Sequence, residues 1–372
     1  MTIPQSLTST LKAHLKQAIQ LQSGWIGFDT FMSLALYTPG LGYYANDRAI
    51  FGTMPQGVKG QGSDFVTAPE MSPFFGRALA VQVAQALAVT QTSEVWEFGA
   101  GSGALALQLL DALGEQIQTY TIVDLSGSLK ALQQQTLMAH AGKVRWVSEL
   151  PATFSGVVVG NEVLDAMPVK ILARVNGDWY ERGVSLDVAG PDDALVWLDR
   201  ETQLRPPVEI PGTDDYVTEI HPQAGSFVRT LGERLTQGAV FLIDYGFPES
   251  EYYHPQRHMG TVMCHRAHLM DGNPLADIGL KDITAHVNFT GMALAAQDIA
   301  DFGVLGYITQ ARFLMNCGLL NMLDGASVPE RSMAQKLIME HEMGELFKVI
   351  GLYKGEPWDA IGFLQGDRTH TL

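Results

Sequence analysis

An open, mostly parallel α/β sheet with helices on both faces is the architecture this chain encodes, with an N-terminal helical and loop extension and an antiparallel β insertion. Three observations predict it. Short apolar runs at 94–98, 119–125, 144–147, 156–160 and 238–246 alternate with segments of helical period, as strands covered on both faces do. A glycine turn, EFGAGSGALA at 97–106, follows the first run and opens a helix. Residues 169–220 change to alternating residues around Asn176-Gly177, the signature of a β-hairpin.

The elements follow in order. Residues 5–22 put Leu7, Leu11, Leu15, Ala18, Ile19 and Leu21 on one helical face, with Lys12 and Lys16 opposite. The stretch FMSLALYTPGLGYYAND (31–47) is rich in Gly and Tyr; its run LYTPGLGYY reads as a packed aromatic cluster, with stacking on an adenine or a substrate as the alternative, and a glycine-laden loop occupies 51–64. Ser72-Pro73 starts a helix to about Ala88, since Ser caps well and Pro fits a first turn. A helix follows each of the first two strands, and a helix from Pro222 to about Leu235 returns the chain to the strand GAVFLIDYG. Beyond it are predicted a helix near 290–302, a strand at 304–309, helices within 310–323 and 329–345, and a final strand at 346–355. Residues 1–92 are read as an N-terminal helical and lid region, and 93–372 as the sheet-bearing domain with its insertion at about 169–220.

Composition narrows the function. The chain has 372 residues and a net charge of −16, from 40 acidic against 24 basic residues. That excludes sequence-independent nucleic-acid binding, which needs a basic footprint. Two cysteines, Cys264 and Cys317, are too few for a disulfide framework. No run of about 18 apolar residues is present to span a membrane, and the first residues lack a leader pattern. A cytoplasmic protein is expected. His254, His258, Cys264, His265 and His268 fit no metal-ligand spacing, and HPQRHMGTVMCHRAH reads as a loop and hairpin at Gly260-Thr261.

The glycine turn carries the chemistry. Gly99, Gly101 and Ala104 fit a dinucleotide loop, and Gly99, Gly101 and Gly103 fit an E-x-G-x-G-x-G loop equally well. Glu97 favours the second: a carboxylate there meets a ligand ammonium and would repel a pyrophosphate. No Lys or Arg stands nearby for a phosphate. Asp124, about 20 residues on, suits the two ribose hydroxyls of a nucleoside, with Leu125 and Ser126 following it. In GNEVLDAMPVK (160–170), after the fourth strand, Asn161, Glu162 and Asp165 would project beyond the carboxyl edge of the sheet. Glu162 and Asp165 are three apart and would share a face of a helical turn. Two carboxylates can hold a guanidinium in a fork and orient one nitrogen.

Six stretches in order, ALYTPGLGYY, SDFVTAPEMSPFFGRALA, EFGAGSGALA, GNEVLDAMPVK, FLIDYGFPESEYYHP and DITAHVNFT, resemble the MidA family over nearly the whole chain. The resemblance implies a Rossmann-like class I fold that uses S-adenosyl-L-methionine and releases S-adenosyl-L-homocysteine. It also implies methylation of protein arginine, on a complex I core subunit during assembly. Carried over, Glu97, Gly99, Gly101 and Gly103 form the donor loop, Asp124 is the ribose acid, and Asn161-Glu162 stands where arginine methyltransferases of the same fold carry a glutamate. Thr67, Ala100, Leu125, Ser126 and Asn161 are expected to complete the donor site. Glu162 and Asp165 are the expected catalytic acids, and Asp64 and Glu70 belong to a lid or to the substrate site. Asn288 stands where the family carries Asp at least as often. Two alternatives differ in kind: a methyltransferase for a small oxygen or nitrogen nucleophile, with His286 as general base, and a non-catalytic complex I assembly chaperone.

Overall fold

The sheet that carries the glycine turn includes β1 (Glu94–Phe98), β2 (Thr119–Val123), β3 (Val144–Val147), β4 (Phe154–Asn161), β5 (Leu235–Phe247), β6 (Phe302–Thr309) and β7 (Phe347–Lys354). The computed structural model describes residues 5–46, 67–124, 127–187, 194–266 and 269–372. Contacts divide the chain into two units. The first comprises Met1–Ile50, Asp165–Ala224 and Glu249–Asn288, and the second Phe51–Leu164, Gly225–Pro248 and Phe289–Leu372.

These seven strands lie in the second unit, in the order β3-β2-β1-β4-β5-β7-β6. β1 to β5 run parallel, and β7 runs antiparallel to both of its neighbours. Val157, Val158 and Val159 of β4, and Ala239 to Ile243 of β5, are all buried. These central strands are covered on both faces, so their sequence is continuously apolar rather than alternating. α1 (Pro73–Thr90) and α2 (Ala104–Leu113) contribute Phe74, Phe75, Leu79, Val83, Leu105 and Leu109 to the same core. The Ser72 hydroxyl accepts from the Phe74 amide and caps α1, with Pro73 in the first turn.

Strand order decides where a site can form. From β1 the chain moves outward to β2 and β3, then returns to place β4 on the other side of β1. That reversal opens a crevice beyond the carboxyl ends of β1 and β4, the position where open α/β sheets bind ligands. The register pairs Phe98 with Gly160, so the glycine turn leaves the sheet beside Asn161.

The first unit contains the predicted insertion. Lys170–Val175 and Asp178–Asp187 form a hairpin whose turn, Asn176-Gly177, has φ of +52° and +92°. Two positive values are what a type I′ turn requires. Tyr216–Ile220 pairs with the first strand and Ala194–Glu201 with the second. The N-terminal segment joins this sheet through Ile26–Gly27, which pairs with Val184 and Gly183. The expected N-terminal region of 1–92 is therefore shared out: residues 1–50 belong to the first unit, and α1 packs in the core of the second.

Three local expectations are corrected. The helix expected within 310–323 is broken into Gln310–Asn316 and Leu319–Met322, because Gly318 has φ of +84°. Residues 162–165 form no helical turn, so Glu162 and Asp165 share no helix face. The chain at Gly260-Thr261 makes no hairpin. It wraps the buried carboxylate of Glu219, which accepts from the Thr261 amide (2.8 Å), the Thr261 hydroxyl (2.9 Å) and the Val262 amide (3.1 Å).

Leu11, Leu15 and Ile19 of the helix Gln5–Leu21 are fully buried, as its apolar face predicts. Leu15→Ala should therefore cost about 2–5 kcal/mol in urea unfolding, the range for a core leucine. A loss below about 0.5 kcal/mol would show that this helix is an appendage.

Candidate active site

At the end of β1 the backbone turns sharply, with φ of +65° at Gly99, +52° at Gly101 and +85° at Gly103. Three left-handed residues in five are tolerable only as glycine. The turn is closed by the Gly103 amide donating to the Ala100 carbonyl at 2.7 Å. Gly103 then precedes the first turn of α2, leaving amide donors of a helix N-terminus at the crevice.

Glu97 is almost wholly buried and accepts from the Tyr120 hydroxyl at 2.6 Å. Burial pushes its carboxyl up to about 8; the Tyr120 hydrogen bond opposes the shift and nearby Asp124 adds to it. Glu70 packs on the same turn through a hydrogen bond from Ser102, and burial raises its carboxyl too. Its second oxygen, Oε2, is buried with no hydrogen-bond partner. Thr67 precedes the short helix Ala68–Met71 that carries Glu70, and its carbonyl accepts from the Glu70 and Met71 amides.

Asp124 follows β2, and Gln133 holds it in place. From the helix Gly127–Thr136 the fully buried Gln133 amide donates to Asp124 Oδ2 (2.9 Å) and to the Gly101 carbonyl (3.0 Å). Its own oxygen accepts from Trp146 Nε1 at 2.9 Å. One side chain thus ties the acid to the glycine turn. Sequence reasoning missed Gln133, although a signal existed: it sits four residues from both Leu129 and Leu137, a polar residue on an apolar stripe.

The end of β4 is held by β5. Asp244, fully buried, accepts from the Val163 amide (3.1 Å) and the Leu164 amide (2.8 Å) with one oxygen, and from the Tyr245 amide (2.9 Å) with the other. The Glu162 amide donates to the Ile243 carbonyl, and Glu162 itself adopts φ of +55°. A non-glycine residue in that region is held by its surroundings and is a mark of functional sites. Asn161 donates to Glu162 Oε1 at 2.8 Å, while its own Oδ1 is buried without a partner.

Of the predicted residues, Thr67, Glu70, Glu97, Gly99, Ala100, Gly101, Gly103, Asp124, Asn161 and Glu162 fall in the second unit. Asp64, Leu125 and Ser126 lie outside the described residues. Asp165 and His286 belong to the first unit. There the His286 carbonyl accepts from His221 Nε2 at 2.8 Å. That bond leaves His221 Nδ1 as the unprotonated nitrogen, buried with no partner, and burial lowers the histidine's pKa. His221 is a second residue that sequence reasoning overlooked.

Comparison with known proteins gives the chain a family. Residues 78–308 match the model of a family described as "Putative S-adenosyl-L-methionine-dependent methyltransferase". The chain belongs to this family. A Burkholderia thailandensis crystal structure bound to S-adenosyl-homocysteine is 46% identical, covers 100% of this chain and 99% of its own, and superposes with a TM-score of 0.93. Among curated proteins, Protein arginine methyltransferase NDUFAF7, mitochondrial, of Danio rerio is 26% identical over 84% of this chain and 78% of its own length. The Caenorhabditis elegans homolog of that protein is 27% identical over 93% and 87%. The expected class I methyltransferase fold is therefore present, with its extra antiparallel sheets.

Two predictions follow from the geometry. The folded protein holds the Glu97 proton up to about 8, whereas the ordinary value is 4.5. The folded state thus binds more protons between these values, and the contribution of Glu97 to stability falls as pH rises through that window. Glu97→Gln should gain stability over the parent progressively from pH 4.5 to about 8 in urea titrations; a gain that is flat with pH would refute the buried proton. Gln133→Met should weaken S-adenosyl-L-homocysteine binding about tenfold in calorimetry, since one charge-assisted hydrogen bond is worth roughly 1.5 kcal/mol.

Proposed function

We propose that this chain transfers the methyl group of S-adenosyl-L-methionine to the arginine of a protein, a complex I core subunit being the target during assembly. One observation supports the donor site above the others. Glu70 Oε2 and Asn161 Oδ1 are buried acceptors without partners, on elements that meet the three-glycine turn. Buried acceptors left open cost free energy unless a ligand fills them. A donor with an ammonium group and ribose hydroxyls offers the matching hydrogens.

In this reading the residues divide the work. Asp124, steadied by Gln133, receives the two ribose hydroxyls. The glycine turn and the first turn of α2 present backbone amides. Glu97 and Glu70 receive the ammonium, whose charge would draw the proton from the buried Glu97. The donor, when bound, supplies an electrophilic methyl on a sulfonium. Glu162, fixed by Asp244 and Asn161, would orient the incoming nitrogen and stabilise its charge. No side chain deprotonates a guanidinium before transfer; as the C–S bond breaks and the C–N bond forms, the methylated nitrogen would release its proton to the Glu162 carboxylate, leaving a methylguanidinium and S-adenosyl-L-homocysteine. The names of the Danio rerio and Caenorhabditis elegans relatives support arginine of a protein as acceptor.

Calorimetry with S-adenosyl-L-homocysteine tests the donor site. Asp124→Ala should weaken binding about a hundredfold, the loss of two hydrogen bonds to a charged group at roughly 1.5 kcal/mol each. Glu162→Gln should keep that affinity within about threefold, a difference of under 1 kcal/mol, and abolish transfer. Equal loss of binding and transfer would move Glu162 into the donor site. Mass spectrometry of complex I subunits with and without this chain tests the acceptor. Normal complex I assembly with the Asp124→Ala protein would favour a chaperone over an enzyme.

A further inference from the structure

A second buried acidic cluster lies wholly within the first unit. The helix Phe28–Tyr37 ends on Tyr37, and a short helical turn holds Tyr43 and Tyr44. The Tyr37 and Tyr44 rings stack with centroids 5.7 Å apart and planes at 20°, and Tyr43 meets Tyr44 edge-on. The Tyr44 hydroxyl donates to Asp282 Oδ2, and the Tyr37 hydroxyl to the Ala166 carbonyl, both at 2.8 Å. The neighbouring Asp165 is tied by its carbonyl to the Ala285 amide, next to the strand Asp282–Thr284. Asp165 and Asp282 are each 4% exposed, whereas Tyr37 is 36% exposed. Both carboxylates act electrostatically on both phenols, which burial holds protonated.

An independent feature marks this cluster as a ligand site. Thr284 is 3% exposed, and its hydroxyl is buried with no hydrogen-bond partner. Residues two apart in a strand share a face, so the Thr284 hydroxyl lies on the side where Asp282 meets Tyr44. Buried hydroxyls without partners are rare and call for an explanation.

We infer that Tyr37, Tyr44, Asp165, Asp282 and Thr284 bind the guanidinium of an arginine side chain, an assignment whose choice of arginine rests on the arginine-methylation reading above. The chemistry selects this cation. A guanidinium is planar, stacks on aromatic faces, and donates in a fork that suits carboxylates; an ammonium does none of these as well. Its remaining N–H groups would satisfy the Thr284 hydroxyl oxygen.

The test uses Nα-acetyl-L-arginine amide, with the neutral citrulline and the lysine counterparts, titrated into the full chain with and without S-adenosyl-L-homocysteine. Arginine should bind at least about tenfold tighter than either counterpart, a difference of roughly 1.4 kcal/mol. Asp282→Asn should remove that preference. Thr284→Val should weaken arginine binding about threefold while unfolding at the same or a higher temperature, because it deletes an unsatisfied hydroxyl. That second variant keeps the assignment testable if Asp282→Asn fails to fold. Citrulline binding as well as arginine, or Thr284→Val binding arginine normally, would overturn it. So would Asp282→Asn weakening S-adenosyl-L-homocysteine instead of arginine, which would put the cluster in the donor site. Arginine binding without any S-adenosyl-L-homocysteine binding would overturn the methyl-transfer reading and leave the cation pocket standing.

Discussion

A buried carboxylate at the end of β5, Asp244, is the constraint on which the carboxyl edge of the sheet depends. Its two oxygens accept three backbone amides, two of them from the turn that follows β4. Deep in a sheet, amides that leave the strand ladder need partners or cost free energy comparable to a lost hydrogen bond. Asp244 supplies them, so the chain can leave β4 abruptly and hold Glu162 at φ +55°. Without that cage the turn would relax toward a region where an L-residue is unstrained. The position of Glu162 beside the glycine turn is thus set from the neighbouring strand rather than from its own segment.

Polar groups buried elsewhere in the second unit follow the same logic. Gln133 uses both ends of its amide, on Asp124, Gly101 and Trp146, and so joins β2, the glycine turn and β3. Glu97 is shielded by Tyr120, and burial holds its proton, which removes the cost of burying a charge. The first unit has its own hub in Glu219, which organises the chain from Gly260 to Val262 and accepts from Tyr252. Gln133 and Glu219 each fix a backbone that is not part of a helix or strand.

Much of this was legible in local sequence. The five parallel strands stand out because burial on both faces demands continuous apolar runs. The glycine turn stands out because only glycine tolerates three left-handed positions in five. The hairpin at Asn176-Gly177 announces itself through the same backbone requirement. Gln133, Asp244 and His221 were not read as site residues, since each acts on groups distant in the chain. The helical turn predicted for Glu162 and Asp165 failed for a different reason: Glu162 leaves β4 at φ +55°, outside the right-handed helical region.

Local periodicity and turn chemistry therefore sufficed for the type of sheet and for the left-handed glycine turn. They could not say which buried polar atoms end up satisfied. That outcome depends on pairings between strands and helices far apart in sequence, such as Tyr120 with Glu97 or Ser102 with Glu70. Nor could they show that residues 1–50 build one unit with 165–224 and 249–288. The partners of Ile26, Tyr37 and Tyr44 lie more than a hundred residues away. Burial and hydrogen bonding are properties of the folded assembly, and they alone decide which carboxylates become structural and which remain open to a ligand.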